Sequence, residues 1–98
     1  MKYCVKVCIV KRAIDKHDPY GLLEMGAPPD EYDPEIKDIA SKINIENSIN
    51  EIAEICSAVF IQWFSDVECF QKKYFIEAAK EIKSDMDNTT KTETPKLT

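Results

Sequence analysis

Apolar positions in this chain recur mostly every three or four residues, the spacing of a helix face rather than of a strand. Residues 2–16 admit both patterns. Tyr3, Val7, Val10 and Ile14 fall on one helical stripe with Cys4, Cys8 and Ala13 beside it, while Tyr3, Val5, Val7 and Ile9 also alternate with Lys2, Cys4, Lys6 and Cys8. The alternation fails at residues 10–13, and no second strand is at hand to satisfy a lone strand's backbone. A first helix is therefore predicted. Asp33-Pro34-Glu35 reads as a helix start: Asp33 as a cap, Pro34 at the first position, Glu35 at the positive end of the dipole. Ile36, Ile39, Ala40 and Ile43 then give the second helix its buried stripe, ending between residues 44 and 47.

Ser48 and Glu51 form a capping box for a third helix, with Ile49, Ile52, Ala53, Cys56, Val59, Phe60 and Trp63 on one face, widened by Ile55 and Phe64. A second box, Ser65 to Glu68, predicts a tight turn into a last helix. Its stripe would be Val67, Phe70, Tyr74, Ala78 and Ile82, with Phe75 and Ala79 beside it and Lys72, Lys73, Lys80 and Lys83 in solvent. The expectation is an all-α fold, a small bundle of about four helices in one domain over residues 1–86. Residues 87–98, with no apolar side chain before Leu97, read as a disordered tail.

Between the first two helices the pattern breaks. Residues 15–35 hold both glycines, four of the five prolines and His17, the chain's single histidine. Pro and Gly exclude a long regular element there, yet Tyr20, Leu22, Leu23, Met25 and Tyr32 are too apolar for a flexible linker. An ordered flap is predicted, stiffened in polyproline geometry at Ala27, Pro28 and Pro29 and stapled to the bundle by Leu22, Leu23 and Tyr32. It carries seven carboxylates against one lysine, a local charge of −6 in a chain whose total is −5.

That charge narrows the partners. A pI near 4.8 disfavours nucleic acid and anionic membrane, which need cationic surface, and favours solubility or a cationic protein. No segment approaches the roughly 20 apolar residues of a membrane span. The start MKYCVKVCIVKR lacks a signal-peptide pattern, so a cytoplasmic protein with reduced thiols is expected. Cys4, Cys8, Cys56 and Cys69 lie in or beside apolar stripes, which predicts packing as small hydrophobes and no metal or cofactor. His17, at a helix end beside Asp15 and Asp18, suits a structural role better than pairing with a catalytic cysteine. The paired acids sit on a loop and show no arrangement that would push their pKa values apart, so an enzyme is not expected. Acids interleaved with aromatics have the composition of a protein interface, with Tyr20, Glu24, Asp30, Glu31, Tyr32 and Asp33 as contact residues. Asp33 would divide its carboxylate between capping and contact. The competing reading is a loop shaped for packing alone.

The loop also resembles a small bacterial family, best represented in Bacillus and its relatives, with a core of the form D-P-x-G-L-L…G-A-P-x-D-E-Y-D-x-E-I. The matching residues are Asp18, Pro19, Gly21, Leu22, Leu23, Gly26, Ala27, Pro28, Asp30, Glu31, Tyr32, Asp33, Glu35 and Ile36. The likeness in helix order extends over about residues 5–82, although that family usually has an aromatic residue, often Trp, where His17 stands. The resemblance implies an all-helical fold and supplies no enzymatic residues. In size and acidity the chain is further similar to immunity proteins of bacterial toxin systems, of the contact-dependent growth inhibition and colicin-nuclease kinds. That likeness implies a monomer that occludes a basic toxin nuclease in a 1:1 complex. The alternative is a cytoplasmic regulatory or adaptor protein.

Overall fold

The computed structural model describes residues 1–18, 21, 24–26, 28 and 30–93, without the side chains of residues 90–93. Four α-helices make up the bundle: α1 (Tyr3–His17), α2 (Asp33–Lys42), α3 (Ile49–Phe64) and α4 (Ile76–Glu93), with a 3-10 turn (Lys72–Phe75) leading into α4. No strand occurs among the described residues. The all-α reading holds. Helix α1 packs on α2 and α4, and α3 packs on α2 and α4, so the four helices close a ring around one core.

The inward stripes follow the predicted periodicity in α2 and α3. Ile36, Ile39, Ala40 and Ile43 meet Ile52, Ala53, Cys56, Val59 and Phe60, all buried. The capping box of α3 forms as expected, the Glu51 amide donating to Ser48 Oγ at 3.1 Å and the Ser48 amide to Glu51 Oε1 at 2.9 Å. Phe60 is the hub of an aromatic cluster, with ring centroids 5.7 Å from Tyr32, 5.2 Å from Phe70 and 5.3 Å from Phe75. Such pairs contribute about 0.5–1.5 kcal/mol each beyond their buried area.

The region after α3 departs from the expected turn. Ser65 ends α3 in the left-handed conformation (φ 57°), its amide donating to the Ile61 carbonyl at 2.7 Å. Turns and the 3-10 segment then occupy residues 67–75, where a continuous helix was expected. The break turns two members of the expected stripe outward, Val67 and Tyr74, whereas Phe70, Phe75, Ala78, Ala79 and Ile82 are buried as expected and Met86 joins them. Buried Ser57 donates its hydroxyl to the Phe70 carbonyl and so satisfies a backbone acceptor in this turn. Trp63, expected in the core, is half exposed, its indole N–H donating to Asp38 Oδ2 of α2 at 3.2 Å. Lys83, expected in solvent, is partly buried and donates to the Ile45 carbonyl at 2.6 Å.

At the other end α4 runs to Glu93, seven residues beyond the expected domain limit. Met86 is buried and the Arg12–Asp85 ion pair at 3.2 Å ties α4 to α1 just before this extension, and adding residues to an existing helix is easy compared with nucleating one. Residues 94–98 of the expected tail lie outside the described residues.

Candidate functional site

The acidic segment is organised by Asp18. As the C-cap of α1 it takes the left-handed conformation (φ 46°) and returns its amide to the Ile14 carbonyl at 2.7 Å. Its carbonyl accepts from the Gly21 amide at 2.9 Å. Its carboxylate reaches both ways: Oδ2 accepts from the Glu24 amide at 2.9 Å, and Oδ1 accepts from the Tyr32 hydroxyl at 2.7 Å. One side chain thus ties the start of the loop to its end. Gly21 (φ 71°) and Gly26 (φ 98°) occupy backbone conformations that other residues adopt at a cost, as tight turns require. Met25 closes back on the Gly21 carbonyl at 3.1 Å.

Tyr32 has no exposed surface. Its ring belongs to the aromatic core, its hydroxyl is held by Asp18, and its residue is the N-cap of α2. As positioned it offers nothing to a partner. Asp33 was expected to cap α2; it is instead the first helical residue and turns to Lys11 of α1 at 3.0 Å. Lys11 also pairs with Asp15 at 3.1 Å. Partial burial alone would lower the Lys11 ammonium, but hydrogen bonds to Asp33 and Asp15 and their charges outweigh it and hold its pKa above the ordinary value. Both aspartates of that triad serve the α1–α2 junction.

Glu35 stands in the first turn of α2 as expected, but it is buried. It is 5% exposed, and its Oε1 is buried without a hydrogen-bond partner among the described residues. Desolvation pushes its pKa up; the hydrogen bond from its own backbone amide opposes this, and the nearby Glu31 and Asp33 charges add to it.

The remaining contact candidates are Glu24, Asp30 and Glu31. All three are exposed, and none makes an ion pair among the described residues. Carboxylates on the helices behave differently: Asp38, Glu54, Glu77, Glu81 and Asp85 are each within 3.5 Å of a lysine or arginine nitrogen. Glu81 is held below its ordinary pKa first by the Lys16 hydrogen bond, against some desolvation, with the charges of Lys16 and His17 adding to it. His17 Nε2 lies 3.3 Å from the same Glu81 oxygen, a bridge between α1 and α4. Tyr20, Leu22, Leu23, Ala27 and Pro29 lie outside the described residues, and with them the expected leucine staple and proline stiffening.

Of the four cysteines only Cys56 packs as expected, its thiol pushed up to about 12 by burial, with a backbone hydrogen bond opposing. Cys4, Cys8 and Cys69 are exposed. The buried stripe of α1 is Ile9, Val10, Ala13 and Ile14, which turns Cys4, Cys8 and Arg12 outward together. No group of three or more His, Cys, Asp or Glu that could hold a metal ion occurs among the described residues, and no helix there is long and apolar enough to cross a membrane. Comparison of the chain with protein-family models, with curated proteins and with solved structures finds no match.

Proposed function

We propose that the protein is a non-catalytic binding protein of the immunity type, in which the exposed carboxylates Glu24, Asp30 and Glu31 meet the cationic active-site surface of a toxin nuclease. The observation that carries this reading is the contrast in pairing. Helix acids are largely neutralised by neighbouring lysines and arginine, while these three stand exposed beside a loop whose two ends share one carboxylate. An anchored set of negative charges costs little to organise on binding and can imitate the phosphates that a nuclease recognises. Tyr20 is retained as a contact by its sequence position; Tyr32 and Asp33 are assigned to packing. Cytoplasmic location belongs to the same proposal.

The burial of Tyr32 and the Lys11–Asp33 pair also favour a second reading, a regulatory or adaptor protein whose loop serves packing alone. Kinetics separate the two. The ligand to use is the basic domain encoded beside this protein's gene, with association followed at several salt concentrations. The triple variant Glu24→Gln, Asp30→Asn, Glu31→Gln is expected to associate about tenfold or more slowly at low salt and to lose most of the salt dependence. A neighbouring gene with no basic product, or rates indifferent to the three substitutions, sinks the immunity assignment of this surface.

A further inference from the structure

Free cysteine is among the residues most often buried, because its thiol packs as a small hydrophobe. Helix α1 departs from this twice on one face. Cys4 and Cys8 are both exposed, and neither has a hydrogen bond or charge partner among the described residues. They are four residues apart, so successive turns stack them, with about 5–6 Å between their β-carbons. Packing does not explain the pair, since the helix buries the face carrying Val10 and Ile14 instead.

That separation suits a metal that draws two thiolates together. A metal–sulfur bond of about 2.3 Å, as in zinc thiolates, places two sulfurs on opposite sides of one ion about 4.6 Å apart. Rotation about each Cα–Cβ bond brings the sulfurs of a stacked pair to that distance without moving the backbone. Two thiolates are soft donors, and soft donors select copper(I) over the harder divalent ions.

We propose that Cys4 and Cys8 form a two-thiolate site on α1 for a soft monovalent ion of the copper(I) class. Binding replaces the two S–H bonds by two S–Cu bonds and releases two protons; copper stays copper(I), and the complex carries one negative charge. No oxidant or reductant takes part. The site lies outside the acidic segment and does not depend on the immunity reading.

The test is an anaerobic titration of the reduced full chain with copper(I) in competition with a chromophoric copper(I) chelator, recorded with sulfur-to-copper absorption in the ultraviolet. One equivalent bound by a monomer is expected. Cys4→Ser and Cys8→Ser should each weaken it by more than the roughly 10–100-fold that loss of an outer-shell contact costs at a metal site. Cys69→Ser, the third exposed thiol, should leave it unchanged, and all three variants should keep the wild-type thermal midpoint because each position is at the surface. Uptake that survives in the Cys4, Cys8 double variant overturns the assignment. So does binding that requires Cys69, or that appears only in a dimer with four thiolates.

Discussion

The residue with the widest reach is Asp18. It closes α1, turns the chain and receives the Tyr32 hydroxyl that anchors the start of α2. Hydrogen bonds to a charged group contribute about 1.5–3 kcal/mol, so Tyr32→Phe should lower stability by that amount in urea unfolding with an unchanged slope. A loss of a few tenths would mean that the ring alone holds the loop. Glu35 gives the opposite sign. Its folded pKa is raised, so its favourable contribution is present below the unfolded value and is lost as pH rises through the folded one. Glu35→Gln should therefore be at least as stable as the wild type at pH 7, with its advantage shrinking toward pH 4. A wild type more stable at pH 7 would show that the ionised carboxylate has a partner. Neither role was legible in the sequence. The Asp18–Tyr32 bond joins residues whose proximity only the fold creates, and Glu35 carries the same pattern as any first-turn acid.

At the scale of elements, α2 and α3 were readable because each stripe is uninterrupted and each start has its own chemistry, Pro34 for one and the Ser48–Glu51 box for the other. The last helix was readable in existence and in the inward face of Ala78, Ala79 and Ile82, but not in where it begins. Ser65 to Glu68 has the residues of a capping box, yet Ser65 terminates α3 in a left-handed conformation that propensity reserves mostly for glycine and asparagine. Val67 and Tyr74, counted on the inward stripe, were therefore misplaced, while Phe70, Phe75, Ala78, Ala79 and Ile82 are buried as expected. The difference is measurable through neighbours in sequence. Phe75→Ala should cost about 3–5 kcal/mol, as for a fully buried aromatic, while Tyr74→Ala should stay within about 0.5 kcal/mol. Comparable losses at both would restore the continuous helix. The exposed thiols of α1 have a different origin. Where two adjacent stripes are similarly apolar, the neighbours α2 and α4 choose the one that turns inward, and the pattern alone cannot.

For the molecule as a whole, the charge is organised by depth and by pairing. Most acids on the helices are matched to cations, Asp15 and Asp33 share Lys11 at the α1–α2 junction, and Glu24, Asp30 and Glu31 on the loop are exposed. Composition already located the acidic segment; which of its carboxylates face outward required the fold. One feature of the ring reaches into the birth of the chain. Because α1 is completed by α4, the earliest made of these four helices waits for the latest with part of its apolar stripe uncovered. At about 5–20 residues per second, the 73 positions that separate Asp85 from Arg12 take several seconds to synthesise. For that interval α1 displays a sticky apolar strip to every nascent neighbour, which makes it the segment a holding chaperone would grip.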